Sequence, residues 1–328
     1  DYRSNGGGVM QEAVDIASLF VPRGEQVVSI MGRDSSSLKH CTTRYAPIAE
    51  DVPVVILVGG SSASASEILA GALQDLDRAV VMGSRTYGKG LVQGTRHLGY
   101  NTYLKYTTAK YYIPSGRCIQ SHNYSSMRSS GTITDVPDSL ISEFTTRGGR
   151  RVYDGGGIVP DVKIDPEYVS RFAVALYAQG YVEDWADEYM RKHHNESIDV
   201  DSFSITDEDY AEFCRFMEDK DVVYESETRK ALKALEVAAE KELYDENMSE
   251  MMERLQSLVR DDKMSNLERY KHDIIEALNS DIILRYAYRS GVVQHAAATD
   301  SSVNRAVEWL LDSDEYERIL REQHLEMH

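Results

Sequence analysis

The 328-residue sequence has little cysteine and a deficit of positive charge. Cys41, Cys118 and Cys214 stand far apart, odd in number and without a C-x-x-C pair. That pattern suggests neither a disulfide framework nor a thiolate zinc site, and it leaves the compartment open. The net charge is −18 with no concentrated basic face, which argues against nucleic acid as the main partner. No apolar run reaches the 18 or so residues of a membrane-spanning helix. There is no H-E-x-x-H, no acidic metal cluster and no G-x-S-x-G elbow. A signal peptide is also missing, and the opening "DYRSNGGG" reads as a strand end running into a turn, so the chain looks like a piece of a longer precursor.

What is present divides in two. Apolar residues make up 42% of the chain, ample for a buried core. Residues 1–164 carry 17 Lys+Arg against 15 Asp+Glu, while 165–328 carry 19 against 39. The near-neutral front and the acidic tail predict two regions with different roles.

In the front region, Val9, Ala13, Ile16, Ala17 and Phe20 have helical spacing directly after Gly6, Gly7 and Gly8. A glycine turn feeding a helix leaves backbone N–H groups free to face an anion. "EQVVSIM" (25–31) and "VPVVILV" (52–58) read as strands, the second apolar on both faces and so central in its sheet. Residues 32–51 read as a loop. Ala65, Ile68, Leu69, Ala72, Leu73 and Leu76 predict a helix from about Ser64 with one face on the sheet, and "RAVVMG" is the next strand. "LVQGTRHL" and "YLKYTTAKYYI" alternate like a hairpin turning at Gly99–Asn101. The Ser/Gly-rich stretch of about 114–152 predicts a surface insertion. After Pro166 the pattern is helical throughout, over 167–179, 182–193, 207–219, 226–243, 247–260, 265–288 and 302–323.

Within "VVMGSRTYGKGLVQ" (80–93), Gly83 to Lys89 is one letter short of the phosphate loop G-x-x-x-x-G-K-[ST]. Gly90 has no hydroxyl for a magnesium ion, and strands rather than a helix follow the lysine. Nucleotide binding is therefore set aside.

Residues 59–66 are all Gly, Ser or Ala, between a strand and a helix N-terminus. A serine there has its hydroxyl at the positive end of the helix dipole with free N–H groups beside it. Ser64 to Glu67 equally fits a capping box, in which the serine caps the helix and the glutamate reaches back. A Ser–His–Asp triad lacks an obvious histidine, since only His40 and His97 lie on plausible elements of the front half. A neutral lysine can serve as base instead, but this requires lowering an ordinary value of about 10.4 by roughly three units, about 4 kcal/mol, through burial away from carboxylates. Lys89 is flanked by glycines, with no acidic residue between Asp77 and Asp135, and fits that need. An ordinary lysine in a surface turn fits the same residues.

Four ordered blocks bring a family into view: "DYRSNGGG", "GGSSASASEILAGALQDLDRAVVMGSRTYGKGLVQ", "TTAKYYIPSGRCIQ" and "GGGIVPDV". Together they resemble the protease domain of the carboxy-terminal processing (tail-specific) serine peptidases over about residues 1–164. The resemblance implies Ser64 as nucleophile, Lys89 as general base, Gln93 as the residue orienting the lysine, and the backbone N–H groups of Ala65 and Gly8 as the oxyanion site. Glu67 matches the family's glutamate and is kept as a structural cap. The implied chemistry is acyl transfer without metal or cofactor, on protein or peptide substrates exported to the periplasm or cell envelope. The implied fold is an α/β, ClpP/crotonase-like spiral ββα core (1–164), followed here by an all-α C-terminal domain (165–328). The family's PDZ domain precedes the first block and is not in this chain; a homo-oligomer is compatible with the acidic tail. Two other readings stand beside this one: an inactive protease-fold scaffold recruiting partners through that tail, and acyl-CoA chemistry, for which no carboxylate base is found.

Overall fold

The computed structural model describes residues 1–123, 134–166, 169–242, 246–259 and 262–321. It divides the chain into two compact units, Asp1–Pro166 with Ser301–His328, and Glu167–Asp300. The first boundary lies where the prolines end and the helical pattern begins. The second differs from expectation, because the last stretch returns to the front unit instead of completing the helical one.

The front unit has two main sheets. Strands β1 (Gln26–Met31), β2 (Lys39–Thr42), β5 (Leu91–Gly99) and β6 (Thr102–Tyr112) form an antiparallel sheet ordered β2-β1-β6-β5. Strands β3 (Val55–Val58), β4 (Val80–Gly83) and β11 (Val162–Lys163) form a parallel sheet ordered β11-β4-β3. The remaining strands are short pairs, β7 (His122–Asn123) with β8 (Thr134–Asp135) and β9 (Glu143–Thr145) with β10 (Arg151–Tyr153). Helices α1 (Met10–Ala17) and α2 (Ala65–Asp75) join Val27, Val28, Ile56, Val58, Val81, Ile113 and Ile158 in one core. The segment 32–51, read as a loop, contains β2, whose four residues carry too little pattern to register alone.

The strand 52–58 is apolar on both faces because each face is covered. Ile56 and Val58 pack toward α1 and α2, while Leu57 meets Ala306, Tyr316 and Ile319 of α10 (Ser301–Leu311) and α11 (Ser313–Arg321). The middle strand of its sheet is β4 rather than β3. Helix α2 is buried on all 11 residues, not on one face as its apolar spacing suggests. Its polar residues are consumed inside the unit. Asp75 pairs with Arg117 at 2.8 Å, the guanidinium also donating to Gln74 at 2.8 Å, and Arg150 pairs with Asp77 and Asp161, each at 2.6 Å. Arg117, Ile119, Arg150 and Val152 are buried, so the ends of the stretch read as a surface insertion are interior. Its centre, 124–133, lies outside the described residues.

The second unit is helical, with α3 (Arg171–Ala178), α4 (Tyr181–Lys192), α5 (Asp207–Phe216), α6 (Glu227–Lys241), α7 (Glu246–Leu258), α8 (Lys263–Arg269) and α9 (Lys271–Thr299). Phe172, Leu176, Trp185, Phe213, Leu267, Ile274, Leu278 and Ile282 make its core. The helix read over 265–288 is broken at Tyr270, which joins α8 to α9, and Tyr288 departs from helical geometry inside α9 at φ 56° and ψ −166°.

Candidate active site

The site is built on the turn between β3 and α2. Gly59 N–H donates to Ser62 Oγ at 2.9 Å, and that hydroxyl donates to Tyr2 O at 2.6 Å. Ala63 N–H donates to Asn5 O at 3.1 Å, so the first glycine block and the serine block are stitched together. Gly7 has φ +96°, and a Cβ there would lie 2.5 Å from Ala63 O and 2.8 Å from Ser64 Cβ. Only glycine permits this approach.

Ser64 sits at the turn with φ 58° and ψ −116°, a conformation L-residues rarely adopt. Such backbone costs of order 1–3 kcal/mol and persists where the surroundings over-determine it. The arrangement is that of a capping box, with the Ser64 side chain toward the Glu67 amide, but the hydroxyl closes no cap hydrogen bond. The glutamate half is complete, with Ser64 N–H donating to Glu67 Oε2 at 2.8 Å.

Glu67 does far more than cap. The same Oε2 accepts from Lys89 N–H at 2.9 Å, and Oε1 accepts from Gly88 N–H and Thr86 Oγ, each at 2.6 Å. The side chain is fully buried, near the N-terminus of α2, where the helix dipole favours its charge. Four donors and the dipole take the place of water around the carboxylate.

The loop carrying Lys89 is held from the other side as well. Ser121 N–H donates to Gly88 O at 3.0 Å, Gly90 N–H donates to Gln120 Oε1 at 2.8 Å, and Tyr87 N–H donates to Ser62 O at 3.0 Å. A Cβ on Gly88, at φ +81°, would fall 2.3 Å from Ser121 Oγ, and one on Gly83 would fall 2.0 Å from Val58 O. The glycines of the phosphate-loop look-alike thus serve strand and loop contacts.

Lys89 and Gln93 line one cavity of about 600 Å³ with Gly6, Ser61, Ala63, Tyr87, Gln120 and His122. Gly8 and Ala65 line a second, of about 130 Å³, with Val9, Ala13, Ile16 and Leu69. Ser64 lies between Ala63, on the wall of the first, and Ala65, on the wall of the second. Among the described residues no hydrogen bond engages Gly8 N–H, and Ala65 is the first residue of α2, whose N–H the helical ladder does not use. Ser64 is half-buried, whereas Lys89 is exposed, contrary to the burial expected of a lysine acting as a neutral base. Among the described residues the Ser64 hydroxyl and the Lys89 amine form no direct hydrogen bond in this structure.

Sequence reasoning missed His122. It stands on the cavity wall, edge-on to Tyr87 with ring centroids 5.0 Å apart and with Nδ1 3.4 Å from Asp135 Oδ1. Its position two residues beyond the third motif block gave no periodic or spacing signal. Gln120, by contrast, closes that block and was open to recognition. Among the described residues no group of three or more His, Cys, Asp or Glu could hold a metal ion, and no helix is long and apolar enough to cross a membrane.

Comparison with known proteins agrees with the motif blocks. Residues 1–136 match the model of Peptidase family S41, and residues 172–310 match that of the probable PDZ-protease C-terminal helical domain. A carboxy-terminal-processing protease of Bartonella bacilliformis is 42% identical over 120 residues, covering 37% of this chain and 27% of the relative. A probable CtpA-like serine protease of Staphylococcus epidermidis is 42% identical over 120 residues, covering 36% of this chain and 24% of the relative. The chain thus spans about a quarter of the length of these curated relatives. Among solved structures, the photosystem II D1 C-terminal processing protease aligns at 31% identity with a TM-score of 0.38, over 52% of this chain and 35% of that one. Residues 1–136 are thus similar to Peptidase family S41, in line with the resemblance first read in the motifs, and the chain is a mixed α/β protein with a helical C-terminal region.

Proposed function

We propose that the protein is a serine endopeptidase of the carboxy-terminal processing type, with Ser64 as nucleophile and Lys89 as general base. The observation that carries this reading is the strained Ser64 turn, tied through the buried Glu67 carboxylate to the loop of Lys89 at the edge of a cavity of about 600 Å³. Strain of this kind belongs to sites where a nucleophile is held out on a sharp strand-to-helix turn.

In the proposed reaction the neutral Lys89 amine removes the Ser64 proton as Oγ attacks a peptide carbonyl. The N–H groups of Ala65 and Gly8 take up the oxyanion. Lys89 then protonates the leaving amine, and water hydrolyses the acyl-enzyme with Lys89 again as base. Gln93 shares the cavity with Lys89 and orients its amine. No metal or cofactor enters the scheme. The spiral ββα core, exported or envelope proteins as substrates, a periplasmic or envelope location, and a PDZ domain in the longer protein follow from the family resemblance and are part of the proposal.

Replacing Ser64→Ala and Lys89→Ala separately is expected to abolish cleavage of an unfolded protein, and a fluorophosphonate probe is expected to label Ser64. Normal turnover by either variant would overturn the dyad. Absence of labelling in the intact protein would favour the inactive scaffold.

A further inference from the structure

The hairpin of β5 and β6 extends beyond the sheet it belongs to. Strand β1 pairs with β6 only over Lys110–Tyr112, so Val92 to Ala109 form a two-stranded arm, with no third strand against it among the described residues. A lone pair of strands is marginally stable in water, and this one is apolar where water surrounds it. Leu98, Tyr100, Tyr103, Leu104 and Tyr106 are exposed, Tyr100 entirely.

These residues are not confined to one side. The register sets Arg96 opposite Leu104 and His97 opposite Tyr103, and opposite residues share a face while neighbours alternate. Leu104 and Tyr106 therefore stand on one face, and Tyr103 on the other, where its ring meets that of His97 with centroids 4.9 Å apart. Tyr100 occupies the end. There Gly99, Tyr100 and Asn101 all have positive φ, at 96°, 49° and 56°. Glycine or asparagine takes such a turn position readily, whereas a bulky side chain is held there against its preference. The charge of the arm has one sign. No acidic residue occurs between Asp77 and Asp135, so Arg96, Lys105 and Lys110 stand on the hairpin without a carboxylate of its own to offset them.

We propose that the tip of this hairpin docks on an anionic lipid bilayer, its tyrosines and leucines entering the interface and Arg96 and Lys105 meeting the headgroups. A protein partner covers one face of a ribbon, but a lipid interface surrounds it, and here the exposed apolar residues occupy both faces and the end. Tyrosine suits that layer because its ring is apolar and its hydroxyl remains hydrated. With a net charge of −18, the chain is repelled by an anionic surface except where cations are concentrated, so charge also orients the hairpin toward it. Strand β5 runs nine residues, about 30 Å, from the cavity wall at Leu91 to the tip, which keeps the Lys89 cavity clear of the surface. The docking does not depend on the peptidase reading.

The test is flotation of the intact protein with vesicles of phosphatidylcholine and phosphatidylglycerol, against vesicles of phosphatidylcholine alone. Binding to the mixed vesicles is expected, and it should fade as salt is raised. A cation beside an anionic surface is worth about fivefold in binding, so Arg96→Gln and Lys105→Gln should each weaken it by about that factor. Tyr100→Asn, which relieves the turn, and Leu104→Thr, which keeps a strand-forming side chain, should each lose about tenfold with the melting temperature held. Brominated lipid in the vesicles should quench the emission added by Tyr100→Trp. Absence of binding to the mixed vesicles, equal binding to phosphatidylcholine alone, or binding that Tyr100→Asn and Leu104→Thr leave unchanged would each overturn the proposal. So would a dimer in solution that Tyr100→Asn dissociates, since a second copy would then be the occupant.

Discussion

The backbone amides of Ser64 and Lys89 converge on a single atom, Glu67 Oε2, at 2.8 Å and 2.9 Å. Two residues 25 positions apart in one motif block are thereby held by one buried carboxylate. The distance between the Ser64 turn and the Lys89 loop is set by backbone, before any side chain of the pair has to meet.

Glu67→Gln is expected to fail although it keeps shape and size. Each carboxylate oxygen accepts two donors, so an amide nitrogen faces donors in either flip state. Orphaned buried donors cost about 1–3 kcal/mol each, and misplacement of the Lys89 loop by about 1 Å can cost roughly 100-fold in rate. Urea unfolding and single-turnover cleavage check this; a wild-type midpoint with wild-type rate would show that the clamp contributes nothing.

Gly7→Ala should destabilise the front unit by about 2 kcal/mol or more and abolish Ser64 labelling. The added methyl meets Ala63 O and Ser64 Cβ in a backbone at φ +96°. Gly6→Ala, where an added Cβ meets nothing within 4 Å, is expected to leave the melting temperature unchanged. Equal melting temperatures for the two variants would contradict the stitched-turn geometry.

Tyr316→Phe should lower the stability of the front unit by about 1–3 kcal/mol. The phenol accepts from Val54 N–H at 2.9 Å and donates to Val54 O at 3.1 Å, at the foot of the strand that leads to Ser64. Removing it orphans the Val54 N–H under α11. Calorimetry of wild type and variant measures the difference, and labelling of Ser64 well below the transition should be unaffected.

Alkaline pH should destabilise the protein. Burial, then the nearby charge of Asp209 and other neighbours, pushes the Tyr189 phenol up to about 12, and burial likewise raises Tyr210 and Tyr316. Unfolded tyrosine ionises near 10. Above about pH 10 the unfolded chain therefore binds fewer protons than the folded one, and stability, complete below that value, falls as pH rises toward the folded pKa. Urea midpoints between pH 8 and 12 are expected to be flat and then drop, with a shallower drop for Tyr189→Phe; a flat profile throughout would refute the linkage.

Much of this site was legible in sequence because its parts are local. The glycines before α1, the small residues between β3 and α2, and the hairpin after Lys89 each follow from spacing or from a turn within a few residues. Four ordered blocks brought a family resemblance into view, and the main strands and helices of the front region, apart from β2 and the short strands β7 to β10, followed from periodicity. The chain's composition also separated a near-neutral region from an acidic helical one.

Tertiary structure decided the rest. Glu67 satisfies a capping box by itself, and nothing local reveals that its carboxylate also receives Thr86, Gly88 and Lys89. The exposure of Lys89, the place of His122 on the cavity wall and the burial of Arg117 and Arg150 depend on chain brought from far away. So does the return of Ser301 onward to the front unit, since an amphipathic stripe shows that a helix will be covered on one face but not by what. Short-range sterics and periodicity are written in neighbouring residues; long-range hydrogen bonds and burial exist only once the loops have closed.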